Sequence, residues 1–451
     1  MKPLHLERCL RTVEADKAVL CSAARVPYYP LVVKKARGSW VEDADGNRYI
    51  DFLASAAAVN VGHCHPRVVE AVREQAEAFM SYTAVYMYHE PLVCLSEALC
   101  RITPGNFPKR VIYGLSGSDA NDGAIKLARW TTGRSKIVAF QRSYHGSTYG
   151  ALSLSSLSLP MRRRMGPFLP EVYHFPYPDT FRPPFSGTDE EIADYHLDLI
   201  RRAFADYIPG EEVAAVIIEP IQGDAGILVP PVSFMKGLRS LCNDHGILLI
   251  AEEVQQGFGR TGKWFGIEHF GIVPDAVILG KALGSGLPLS AIVAREDLMA
   301  DWDAPAHCFT HAGNAVCCAA AYASVQVIEE EGLIARSEEM GNYLMERFRA
   351  LQDSYPLIGD VRGKGLSIGV DLVKDGKTRE RHGEAAAKIC YQAWQKGLLL
   401  SFFSGSVLRI QPPLVITREE ADRALEIIEE AMRDFLAGRI SDEVLKTVKG
   451  W

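Results

Sequence analysis

Six short apolar runs, each apolar on both faces and separated by stretches of helical pattern, constrain this chain most. They are VIYG (111–114), KIVAF (136–140), AAVIIEP (214–220), ILLIAEEV (247–254), DAVILG (275–280) and SAIVA (290–294). Runs of this length with no polar face fit strands of a mostly parallel sheet covered by helices. Ligands of such sheets bind at the carboxyl ends of the strands. Polar residues fall at those ends here: Ser118 and Asp119, Tyr144 and His145, Glu219, Glu252, and Lys281. Ahead of the sheet, GSWVEDADGNRYIDF (38–52) reads as a hairpin turning at DADGN. Residues 158–188, rich in Pro, Arg and aromatics, read as a long surface or interface loop. REEADRALEIIEEAMRDFLAG (418–438) carries apolar residues at 421, 425, 428, 432 and 435, one stripe at helical period.

Composition narrows the function classes. The 451 residues are 48% apolar and 23% charged, ordinary for a soluble globular protein and enough for a large core. With 49 basic against 56 acidic residues the net charge is −7, and no basic stripe points to nucleic acid. The longest apolar stretches, such as GILLIA (246–251), fall far short of the roughly 20 residues that span a bilayer. The charged N-terminal segment has no apolar signal core. Ten cysteines without framework spacing suit a reducing compartment, so a cytoplasmic protein is expected.

Lys281 is the most informative residue. It ends an apolar strand and precedes the glycine-rich ALGSGLPL. Alone it could simply snorkel from a strand end. It could also be an amine held in a dry pocket, able to form a Schiff base. A carboxylate at the end of the preceding strand favours the second reading, because a buried unpaired carboxylate is costly and a cationic heterocycle would pair it. Side chains alternate along a strand, so only one of Glu252 and Glu253 can face such a site. Upstream, GLSGSDANDGAIKLAR (114–129) is strand, small-residue turn and helix, whose first amides with Ser118 would bind a phosphate. QRSYHGSTYG (141–150) adds an aromatic ring and an imidazole. Phosphate cradle, stacking ring, carboxylate and lysine are the parts that hold pyridoxal 5′-phosphate.

The chain resembles class III aminotransferases of pyridoxal-phosphate fold type I over nearly its whole length. The motifs VNVGHCHPRVVEAV, SGSDANDGAIKLAR, SYHGST, IEPIQGDAGI, EEVQQGFGRTGK, LGKALGSGLPLSA, FTHAGNAVC and LRIQPPL occur in the family's order. The resemblance implies an α/β fold: a large cofactor-binding domain, 61–332, with a mostly parallel sheet flanked by helices, and a smaller α+β domain from 1–60 and 333–451. It implies that Lys281 bonds the cofactor, Gly117 and Ser118 bind its phosphate, Tyr144 stacks on its ring, Glu252 pairs with the ring nitrogen and Gln255 lies near the phenolic oxygen. Thr310 would reach the phosphate of the neighbouring subunit, implying a homodimer or homotetramer with the site at the subunit interface. Arg409 would grip the substrate carboxylate, a task suited to its bidentate fork.

Two departures stand out. The family's DEV reads Glu252-Glu253-Val254 here, with a longer arm. Asp224 stands where many class III transaminases have a glutamate that pairs with the substrate-binding arginine. Together with ASAAAVNVGH, GPFLPEVYHFPYPD (166–179) and DAPAHCFTHAGNAVC, Asp224 gives a narrower resemblance, to the broad-substrate amino-acid racemases that include isoleucine 2-epimerases. That resemblance implies inversion at Cα of nonpolar amino acids, with Lys281 handling the proton on one face and Asp224 as candidate second acid/base. Amino transfer to a 2-oxo acid is the alternative, since both reactions share the cofactor motifs. A non-catalytic binding role is disfavoured by the retention of Lys281, the ring carboxylate and Arg409. His63-Cys64-His65 lie too close together for three ligands on one strand, so no metal is expected. SAAAV (55–59) lines the substrate pocket by resemblance, and Arg162-Arg163-Arg164 reads as a solvated or subunit-contact loop.

Overall fold

The computed structural model describes residues 4–448 and Gly450. Residues up to His65, with those from Ala335 onward, form one compact unit; Pro66–Ile334 form the other. The sequence expectation put these divisions at 60/61 and 332/333. The stretch up to His65 belongs with the hairpin because Gly38 and His63 exchange both backbone hydrogen bonds, each 2.9 Å.

The larger unit is built on a seven-stranded sheet: β1 (Lys109–Gly114), β2 (Lys136–Phe140), β3 (Val172–Phe175), β4 (Val213–Ile218), β5 (Leu248–Glu252), β6 (Ala276–Leu279) and β7 (Ser290–Arg295). Its order is β1-β7-β6-β5-β4-β2-β3. Only β7 runs antiparallel, against both β1 and β6. All six apolar runs are strands. β3 is a correction: it lies inside 158–188, expected to be loop, where Val172–Phe175 pair in parallel with Ile137–Phe140. Of the three arginines, Arg163 and Arg164 are exposed, while Arg162 is partly buried, donating to the Leu152 carbonyl at 2.8 Å and lying 4.2 Å from the Phe168 ring centre.

Alternation along each strand feeds two cores. Ile137, Ala139, Ala215, Ile217, Ile250 and Ile278 pack with Ala120, Ala124 and Leu127 of helix α1 (Gly117–Thr132). Phe140, pointing the other way, meets Phe234 edge-on at 6.0 Å. Each buried Ile, Leu and Phe among them contributes about 1.5–3 kcal/mol by leaving water, the alanines less. α1 begins where it does because Ser116 and Asp119 form a reciprocal capping box, and it ends at Gly133 in the left-handed conformation. No helix among the described residues is long and apolar enough to cross a membrane. All ten cysteines are free.

The smaller unit holds two four-stranded sheets. The expected hairpin pairs Trp40–Asp43 with Arg48–Asp51. Its turn is fastened by Asp43, which accepts from the amides of Asp45 (3.0 Å) and Asn47 (2.9 Å) and from the Tyr49 hydroxyl (2.8 Å). The final amphipathic helix, Arg418–Leu436, buries Ala421, Leu425, Ile428 and Met432. Between them lies a feature the sequence does not announce: Ala54, Ser55, Ala56 and Ala57 all have φ between 45° and 63°, a left-handed turn without glycine.

Candidate active site

Five parallel strands deliver their following residues to one cavity of about 190 Å³. β1 leads to Ser116, Gly117 and Ser118, β2 to Tyr144 and His145, β4 to Glu219 and Asp224, β5 to Glu252 and Gln255, and β6 to Lys281. The convergence follows from topology, because parallel strands end on the same edge and their loops meet there.

Local geometry is set by close approaches. Gly117 packs so tightly on Val254 that a Cβ would lie 2.9 Å from its Cγ1. Gly146, at φ +136°, brings its backbone against Ser118, where a Cβ would clash with Cα at 2.6 Å. The Ser118 hydroxyl accepts from the Ser147 amide at 3.1 Å. Gly117 and Ser118 are first-turn residues of α1, whose N–H groups have no partner inside the helix and form the positive end of its dipole. Lys281 follows β6 at φ +43°, a conformation that strains any side-chain-bearing residue.

The acidic floor of the cavity is buried. Glu252 accepts from the Val254 amide at 3.0 Å and lies 3.7 Å from His145 Nδ1. Glu219 accepts from the amides of Tyr144 (3.0 Å) and Gly223 (2.9 Å). Burial, and then the adjacent Glu252 charge, push its carboxyl well above the usual range. One donor atom each from His145, Glu219 and Glu252 lie within 4.8 Å of one another. Neither imidazole nitrogen of His145 has a hydrogen-bond partner among the described residues. Two carboxylates and an unsatisfied imidazole, all buried, call for a cationic group among them. A protonated ring nitrogen meets that need, with a phosphate on the first turn of α1 and Lys281 within the same cavity. The residues therefore fit pyridoxal 5′-phosphate.

Of the residues singled out from sequence, Gly117, Ser118, Tyr144, Asp224, Glu252, Gln255 and Lys281 line this one cavity. Gln255 Nε2 donates to Asp224 Oδ1 at 3.0 Å, tying two of them together. Glu253 points away and accepts from the amides of Gly266 (2.9 Å) and Ile267 (2.7 Å). Thr310 is exposed and does not line the cavity of its own chain. Arg409 sits on strand Val407–Ile410 of the smaller unit, its guanidinium 3.7 Å from the Phe403 ring centre. Asn121 was missed: fully buried, it donates to the carbonyls of Gly117 (2.8 Å) and His145 (2.9 Å), binding cradle to floor. Its position four residues after Gly117 on one helix face was the available signal.

Residues 21–432 match the family model described as Aminotransferase class-III. The chain belongs to the class-III aminotransferase family. It is 46% identical over 437 residues to isoleucine 2-epimerase of Lentilactobacillus buchneri, covering 97% of each chain. It is 46% identical over 440 residues to leucine/methionine racemase of Thermococcus litoralis, covering 97% of this chain and 99% of that one. Among solved structures, a Bacillus anthracis aminotransferase superposes with a TM-score of 0.88 at 32% identity, over 95% of this chain and 99% of that one. This class-III family member is thus an enzyme of the pyridoxal-phosphate fold type I, and pyridoxal 5′-phosphate is its cofactor.

Proposed function

We propose that the protein inverts the Cα of nonpolar amino acids, as an isoleucine 2-epimerase-like racemase. The observation that carries this reading is that Lys281 and Asp224, delivered by different strands, line the same cavity. Inversion requires proton removal on one face of Cα and delivery on the other, hence two acid/base groups. The names of the two relatives at 46% identity support the same reading.

Bound in this cavity, pyridoxal 5′-phosphate supplies an electron sink for the pair left on Cα. Lys281 would hold the cofactor, and its amine would take or return the substrate Cα proton on one face. Asp224, oriented by Gln255, serves the opposite face. Gly117 and Ser118 would anchor its phosphate, Tyr144 would cover its ring, and Glu252 would keep its ring nitrogen protonated. The family resemblance assigns the substrate carboxylate to Arg409.

A second copy of the chain completes the assembly as a homodimer or homotetramer. Exposed Thr310 supports this, as does an exposed apolar segment that includes Tyr82, Tyr86, Met87 and Tyr88. Part of that segment edges a groove of about 630 Å³ lined by Phe79, Tyr88 and Tyr322, a surface of the kind that partners cover. The free cysteines support a cytoplasmic setting.

The test is incubation of the purified protein with L-isoleucine and pyridoxal phosphate in deuterated water, without a 2-oxo acid. Chiral chromatography with mass spectrometry should show deuterated D-allo-isoleucine rising to an equilibrium mixture. Amino transfer on addition of a 2-oxo acid, with no more than a trace of inversion, would make the enzyme an aminotransferase.

A further inference from the structure

Helix α1 carries the phosphate cradle at its first turn. Roughly two and a half turns further along, it seats the stretch that leads to Thr310. Lys126 Nζ donates to the Ala306 carbonyl at 3.1 Å and lies 3.3 Å from His307 Nδ1. His307 is only 4% exposed. Its ring lies nearly parallel to Trp302, with centroids 6.2 Å apart and planes at 14°, and meets Phe309 edge-on at 4.9 Å. Trp302 in turn packs on the core beneath the sheet. The fourth wall is Gly123, where a Cβ would stand 2.6 Å from His307 Nε2. Burial first, then the Lys126 charge, lower the imidazole pKa to about 4, so at neutral pH the ring accepts from the ammonium. The ring is thus held on four sides, three residues before Thr310.

We infer that His307 is a positioning residue for the cofactor phosphate of the neighbouring subunit: seated on Gly123 and Lys126, it fixes the backbone that presents Thr310. This rests on the proposed reading in which Thr310 reaches across the subunit boundary. α1 then serves two sites, binding one phosphate at its N-terminus and bracing on its flank the residue that binds the other. His307 does not itself line the cavity, so its effect on the cofactor would pass through Thr310.

The experiment is a double-mutant cycle on the assembled, full-length holoenzyme, read as the dissociation constant for pyridoxal 5′-phosphate by spectroscopic titration after cofactor removal. Thr310→Ala should weaken the cofactor by about 10- to 100-fold, the size of a lost charge-assisted hydrogen bond. His307→Ala should do the same. The double variant should be no weaker than either single one, because both remove the same contact. Lys126→Met, which leaves the buried ring in place, and Gly123→Ala, which crowds it, provide the same readout should His307→Ala fail to fold. Weakening by Thr310→Ala alone, or additive losses in the double variant, would overturn the role of His307. Unchanged affinity in Thr310→Ala would instead overturn the cross-subunit reading on which it rests.

Discussion

Glu252 and Glu253 are neighbours in the chain whose carboxylates serve opposite sides of one strand end. Glu252 turns into the cavity, 3.7 Å from His145, while Glu253 caps the short helical turn Gly266–Phe270 through two amides. Strand alternation separates them, and it leaves Glu253 wholly buried, with no ionic partner among the described residues.

That burial sets a pH dependence of stability. Burial pushes the Glu253 carboxyl up to about 8, against 4.5 for the ordinary group, and the two amide donors only partly oppose it. The raised folded-state pKa means the unfolded chain surrenders its proton first. Stability from this group is therefore full below pH 4.5, falls between pH 4.5 and about 8, and is level above that. Glu219 adds to the fall in the same direction. Glu253→Gln should lower stability by about 1–3 kcal/mol, since one amide loses its acceptor, and should flatten the decline. Calorimetric melting of both proteins from pH 5 to pH 8 measures this, and parallel profiles would refute it.

Lys281 is the second testable position. Lys281→Ala should remove the visible absorbance of the lysine-bound cofactor. It should also cut turnover by at least the roughly 10²- to 10⁴-fold that positioned acid–base groups supply. An unchanged visible spectrum would take the cofactor bond away from this residue.

Much of this was legible in the chain itself, for physical reasons. Strands apolar on both faces have few alternatives to a covered parallel sheet, and such a sheet collects its polar end residues at one edge, as Ser118, Tyr144, Glu252 and Lys281 show. β3 was hidden because a four-residue edge strand beside the proline-rich PYPDTFRPP (176–184) carries too short a pattern to stand out. Strand alternation alone left Glu252 and Glu253 open, and only the family resemblance singled out Glu252, because the run itself does not show which face the site lies on. The seat of His307 depends on Gly123 and Lys126, far away in the chain and joined to it only by folding.

Asp224 carries the third prediction. If it serves the second face, Asp224→Asn should depress inversion on the order of 10²- to 10⁴-fold while exchange of the α-proton on the Lys281 face continues. Gln255 remains a hydrogen-bonding neighbour of the amide, so orientation is largely retained. Deuterium incorporation with retained configuration, followed beside the rate of inversion, separates the two faces. Equal loss of exchange and inversion would remove Asp224 from the role.

The left-handed turn at 54–57 supplies the last. An L-residue in that conformation brings Cβ close to the following carbonyl, at a cost of roughly 1–2 kcal/mol each, and glycine escapes it. Ala54 and Ala57 are fully buried, so they contribute packing as well as strain. Ala56, at φ 58° and only partly buried, contributes mainly strain. Ala56→Gly should therefore stabilise the protein by up to about 1 kcal/mol after the extra chain entropy of glycine is counted. Ala56→Val should destabilise it, because a β-branched side chain fits that backbone poorly. Denaturant unfolding of the two variants tests the pair, and a less stable glycine variant would show that the turn is not strained at this position.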